Sequence, residues 1–219
     1  MKQQNNPAKT REYIQTFNPV VVQASVQHQD YLCSFNAGED YKNFNDFIHN
    51  EWKEYLKSKD GVTFLVFDED RTTSKKNIVA FYTLCASAIP YTDRWFIPIE
   101  ERDKSGKKYD EQECGIPSIE IKMFAVTEQY QDVFFVVDGE ERPVSAWILH
   151  DIICTIESLT TSVIAAKAIF LHAIPTAESF YLQNGFSYAH PSMHTFHNMD
   201  SEYASMFLAL TKLHIHYDE

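Results

Sequence analysis

Glu120 and Lys122 stand two residues apart in the apolar run IEIKMFAV, Ile119 to Val126, so on a strand both point to one face. A carboxylate there can take a proton from an attacking nucleophile, or it can simply neutralise the lysine beside it. Tyr181, second in the pair Phe180-Tyr181, brings a phenol able to give a proton to a leaving group. His172 is a further base candidate at a strand end, where a histidine also serves as a hydrogen-bond partner for backbone. His190, His194 and His197, with Asp200 beyond, have the residue types of a metal site. The spacing H-x-x-x-H-x-x-H needs a helix to gather it, and Pro191 opposes one, so no metal is expected. Arg142, Val144 and Ser145 open an apolar-periodic segment. A helix N-terminus there offers free N–H groups, a positive dipole end and one guanidinium, which together suit a phosphate.

These side chains need elements to hold them. Ala168 to Ile174 is a nearly continuous apolar run, the pattern of a strand buried on both faces. Pro175 stops it, Thr176 is the expected N-cap of a helix through about Asn184, and Gly185 is placed to end that helix in the left-handed region. Phe180 is expected to face the core. Tyr181 is expected to point toward the strand ends, where open α/β sheets bind ligands. Val144, Ile148, Ile152, Ile156 and Leu159 form an apolar row, with Pro143 in the first turn, through about Thr160.

Earlier in the chain, residues 1–18 read as a polar arm or edge element and Pro19 to Val26 as a first strand. Phe44 to Leu56 has helical 3/4 spacing with Asn43 as N-cap, and Val62 to Phe67 with Ile78 to Ile89 suggests a hairpin. Tyr91 to Gly115, with Pro98, Gly106 and many charges, reads as an irregular surface insertion. In the segment after Val126, TEQYQDVFFVVDGEERP, Phe134 to Val137 can form an extra strand before a turn at Asp138-Gly139. Ser205 to Leu213 is the last strand expected.

With 44% apolar and 14% aromatic residues, the 219-residue chain can bury one full core, so residues 19–219 are expected to form one α/β domain. A formal charge of −12 opposes a nucleic-acid partner, because neutralising phosphates takes clustered Lys and Arg. Cys33, Cys85, Cys114 and Cys154 are scattered without a C-x-x-C pair, which reads as free thiols, mostly in the core. No apolar run approaches the roughly 20 residues of a membrane span, so a soluble cytoplasmic protein is expected.

From Ala177 to Phe186 the chain resembles the GNAT superfamily of N-acetyltransferases, whose last helix typically reads A-x-x-(x)-F-Y-x-x-x-G-F. Ala177, Phe180, Tyr181, Gly185 and Phe186 match it. Ile119 to Val126 looks like that family's central strand, and the similarity extends over roughly residues 18 to 213. The resemblance implies a single-domain GNAT-like fold with a mixed central sheet flanked by helices. It also implies acetyl-CoA as cosubstrate and direct transfer of the acetyl group to a small-molecule or peptide amine. It places Tyr181 as the acid that protonates the departing thiolate and Glu120 as base. Backbone of Phe124, Ala125 and Val126 would meet the pantetheine arm, and Gln131 would be a remnant of the family's pyrophosphate motif. Homodimers are common among such proteins. The chain departs from the family twice. The paired glycines of the pyrophosphate loop are missing, and the asparagine that often precedes the tyrosine by seven residues is Ile174. Two alternatives follow: a non-catalytic binding module on the same fold, and a toxin-like member that acetylates aminoacyl-tRNA.

Overall fold

The computed structural model describes residues 12–69, 76–99, 108–137, 139–190, 193 and 203–213. They pack as two compact units, drawn from Met1–Ser58, Val62–Tyr82 and Met123–His150 and from Lys59–Gly61, Thr83–Lys122 and Asp151–Glu219.

In the first unit, β1 (Glu12–Ile14) and β2 (Pro19–Gln23) precede α1 (Gln29–Ser34). α2 (Lys42–Asp46) continues through a π turn (Phe47–Glu51) into α3 (Trp52–Ser58). The π turn is closed by the Trp52 N–H bonding to the Phe47 carbonyl. One extra residue per turn there lets Phe47, Ile48 and Trp52 all reach the core. They meet Leu32, Phe35, Leu65, Phe67 and Phe81 in one apolar cluster. The helix expected from Phe44 is therefore present, but it starts at Lys42, so Asn43 lies inside it rather than capping it. α1 carries one buried residue, Leu32, and has no apolar periodicity by which the sequence could reveal it.

β2 pairs antiparallel with β3 (Val62–Glu69), which neighbours β4 (Lys76–Phe96), and β4 neighbours β5 (Tyr109–Val126). β4 and β5 each give one part to each unit. Their length corrects the irregular insertion expected over residues 91–115, most of whose described residues are strand. Cross-strand polar contacts hold it: Thr92 donates to Glu113 at 2.8 Å, and Arg94 meets Glu111 at 2.5 Å. Charges paired across a solvated ladder give no period-2 apolar signal, which is why the stretch reads as loop.

β6 (Val133–Val137) and β7 (Glu140–Pro143) form an antiparallel hairpin, and β1 adds to β6 in parallel. The extra strand after Val126 is thus observed, and the edge reading of the N-terminal segment holds for residues 12–14. Asp138 of the expected turn lies outside the described residues, as do residues 1–11. Pro143 ends β7, opposite Phe134, and α4 (Val144–Ser162) begins one residue later than expected. Val144, Ile148, Ile152 and Ile156 are all buried on α4.

In the second unit, β8 (Ala168–Ala173) runs parallel to β5 and antiparallel to β10 (Ala204–Ala209), which carries β9 (Ser187–Tyr188) on its other edge. Every β8 residue except His172 is buried, as the unbroken apolar run requires. Between β8 and β9 lie a 3-10 turn (Pro175–Ala177) and α5 (Glu178–Gln183). Thr176 sits within that turn and does not cap the helix. None of the four cysteines forms a disulfide, and, contrary to expectation, none lies in the core: Cys33 and Cys154 are exposed, Cys85 and Cys114 half-buried. No described helix is long and apolar enough to cross a membrane.

Candidate active site

The stretch after β8 folds around its glycine. Gly185 has φ +89, the left-handed value that favours glycine. The Phe186 N–H bonds back to the Tyr181 carbonyl at 3.1 Å and the Gly185 N–H to Leu182 at 3.2 Å, the paired bonds of a Schellman helix end. That geometry folds the residue after the glycine onto the residue three before the cap. Phe186 accordingly packs on Tyr181, with ring centroids 5.5 Å apart at 67°. This reverses the expected orientation: Tyr181 is 8% exposed and belongs to the core, whereas Phe180 is half-buried. Burial holds the Tyr181 phenol well above its ordinary value, so it stays protonated at neutral pH. Among the described residues no group hydrogen-bonds its hydroxyl.

β8 also borders a fork. The parallel ladder between β5 and β8 pairs Ser118 with Ala168, Ile119 with Ile169 and Glu120 with Phe170, and stops there, although both strands run on. Glu120 occupies the last rung. Its carboxylate lies 3.3 Å from the Lys122 ammonium, so the ion pair read from the two-residue spacing is real. The pair has a neighbour that sequence reasoning missed, Cys85 on β4. Burial, then the Glu120 carboxylate, pushes its thiol up to about 11, against an opposing effect of Lys122. A thiol so high is a poor nucleophile. Contact is close here, since a Cβ on Gly61 would come within 2.9 Å of the Cys85 sulfur. Only strand adjacency brings Cys85 to this pair, and no spacing in the sequence encodes it.

His172 is occupied: its Nδ1 and the Ser205 hydroxyl are 3.1 Å apart, and Phe170 packs edge-on at 4.8 Å. Of the histidine group, His194, His197 and Asp200 lie outside the described residues.

The cofactor candidates all fall in the first unit. Ala125 and Val126 are buried at the end of β5, directly after Phe124. The Gln131 amide donates to the Ala37 carbonyl at 2.8 Å and the Val126 carbonyl at 3.0 Å, so it ties the turn after β5 to the loop after α1. Arg142 lies on β7 and pairs with Glu140 at 2.8 Å, half-exposed. Val144 is fully buried and Ser145 partly so in the first turn of α4. The hairpin β6–β7 thus occupies the place of a glycine loop and delivers the chain to the α4 N-terminus. The fit to acetyl-CoA is uneven. β5 backbone beyond Glu120, which pairs with no residue of β8, suits a pantetheine arm. A pyrophosphate would meet the α4 N–H groups without a glycine cradle and with Gln131 already bonded.

No protein-family model and no curated protein matches the chain. Solved structures do. A mutant of the toxin AtaT aligns at a TM-score of 0.60 with 16% identity, covering 93% of this chain and 95% of that one. AtaTR bound with AcCoA aligns at 0.57 with 18% identity, covering 87% and 93%. AtaT complexed with acetyl-methionyl-tRNAfMet aligns at 0.56 with 17% identity, covering 88% and 95%. At such identities the likeness is one of fold, and it bears out the α/β architecture with a mixed sheet. The exclusion of nucleic acid drawn from net charge finds no support in this likeness, since one of these structures is complexed with acetyl-methionyl-tRNAfMet.

Proposed function

We propose that the protein is an N-acetyltransferase that moves the acetyl group of acetyl-CoA directly to an amine. The observation that carries the reading is the fork, where the β5–β8 ladder ends at Glu120 while both strands continue. Backbone of Phe124, Ala125 and Val126 would bond the pantetheine arm, and the N-terminus of α4 at Val144 and Ser145, with Arg142 before it, would face the phosphates. Acetyl-CoA supplies an activated acyl carbon. Tyr181, kept protonated by burial, gives its proton to the sulfur as the C–S bond breaks and regains one from solvent. Glu120, through water, takes the proton that the amine nitrogen loses as the new C–N bond forms. Lys122 beside it, 3.3 Å away, holds the carboxylate in place.

A second reading gives the amine as the amino group of an aminoacyl-tRNA, and it is favoured by the fold shared with AtaT in its acetyl-methionyl-tRNA complex. Acetylation assays with a small amine and with charged tRNA separate the two. The core reading is tested by acetyl-CoA calorimetry on the wild type and on Ser145→Glu. Micromolar binding that weakens at least about tenfold in the variant, from repulsion at the helix N-terminus, supports it. No binding at millimolar acetyl-CoA overturns it and leaves a binding module on an acetyltransferase fold.

A further inference from the structure

The first unit also holds a cavity of about 500 Å3 between α1, the start of β4 and the residues after β5. That is the size of a small-molecule site. Tyr31 and Asn36 line one side, Asn77 a second, and Thr127, Glu128 and Gln129 a third. Backbone bonds fix these walls. The Thr127 N–H donates to the Val79 carbonyl at 2.8 Å, and the Glu128 N–H to the Asn36 carbonyl at 2.9 Å. The Asn36 side-chain oxygen accepts from the Gly38 N–H at 2.9 Å and from the Asn45 amide at 3.2 Å.

Several polar groups in this cavity are left over. Thr127 is 4% exposed, and its buried hydroxyl has no hydrogen-bond partner among the described residues. The Glu128 carboxylate and the Gln129 amide likewise bond no described group. Lys76, the cation at the cavity, is matched by Glu69 at 3.4 Å. Among the described residues, one negative charge, on Glu128, therefore stands without a cationic partner beside two hydrogen-bonding groups that bond no described residue. An anion would be repelled there, and an apolar ligand would leave the buried hydroxyl unsatisfied. The chain's formal charge of −12 further concentrates cations near its surface.

We propose that this cavity binds a small primary ammonium compound bearing an adjacent amide or hydroxyl. Its ammonium faces the Glu128 carboxylate, and its neutral polar group bonds Thr127 and Gln129. As a binding site the cavity stands on its own geometry; as the place of the acyl acceptor it rests on the acetyltransferase reading. Glu128 favours the charged amine, so the bound nucleophile must shed a proton before it attacks.

Calorimetry without acetyl-CoA tests this, using alaninamide and, as an uncharged probe of the same skeleton, N-acetylalaninamide. Alaninamide should bind at millimolar or tighter, the acetylated probe at least about tenfold more weakly. Glu128→Gln, on an exposed side chain, should cost about tenfold, and the near-isosteric Thr127→Val about threefold, with unfolding temperatures unchanged. Equal binding of the two probes, indifference to Glu128→Gln, or no alaninamide binding at millimolar concentration would overturn the proposal. Acetyl-CoA binding on the same samples separates the two claims. Its loss with alaninamide binding kept sinks the acetyltransferase reading alone, and the reverse sinks the amine site alone.

Discussion

Two connections leave the carboxyl ends of strands, and they are built on opposite plans. After β8, residues 174–186 spend one turn of helix and one glycine, and the helix end itself folds Phe186 onto Tyr181. After β5, residues 127–143 have no left-handed glycine at the strand end. A 3-10 turn, a bonded glutamine and a hairpin carry the chain to α4. The first connection places a buried phenol with its hydroxyl free of described partners. The second spends the Gln131 amide on two backbone carbonyls. A glycine-turned helix end can hold one reactive group in a fixed pose from local bonds alone. A hairpin connection needs tertiary hydrogen bonds, so the residues most resembling ligand-binding groups become structural.

The comparison is broken or sharpened most strongly at Tyr181. Tyr181→Phe removes one hydroxyl from a packed ring, so the fold should survive while the acetylation rate falls roughly 100-fold or more. Because burial raises its pKa above its ordinary value of 10.0, Tyr181 should add no limb to the rate profile below that pH. Any stability it lends is fully present below the unfolded value and is lost as pH climbs toward the folded one. A variant as fast as wild type would make Tyr181 a core residue only.

Gln131→Ala comes next. It strips the donor from two carbonyls and should cost about 1–3 kcal/mol in chemical denaturation, with little change in acetyl-CoA affinity. Affinity lost at constant stability would instead make the second connection a ligand loop after all. The smallest effect is expected at Gly185. A Cβ there would sit 3.7 Å from Leu208, so space is available and only the positive φ opposes it. Gly185→Ala should cost about 1 kcal/mol and lower the melting temperature by roughly 2–4 °C. A larger loss would mean that the helix end depends on more than its backbone conformation.

Much of the architecture was legible without coordinates. The unbroken apolar run of β8, the apolar row of α4 (four of its five residues buried, Leu159 half-buried), the glycine after α5 and the extra strand at Phe134 each follow from local patterning, and each is observed. The same local reading stumbled where polar residues form regular structure. The outer parts of β4 and β5 hide behind cross-strand charge pairs, and α1 buries a single leucine.

Orientation and companionship were decided only by the tertiary structure. Periodicity could say that α5 has an apolar face, but packing in the core put Tyr181 rather than Phe180 on it. The two-residue spacing of Glu120 and Lys122 foretold their pairing, since a strand alternates its faces, while the placing of Cys85 beside them required knowing which strand lies next to which. The end of the β5–β8 ladder at Glu120, and the cavity around Thr127 and Glu128, depend on contacts between segments far apart in the chain. Local sequence sets backbone conformation and face through short-range sterics and hydrogen bonds. Long-range packing sets which side chains are left unpaired, and those are the groups on which the proposed chemistry depends.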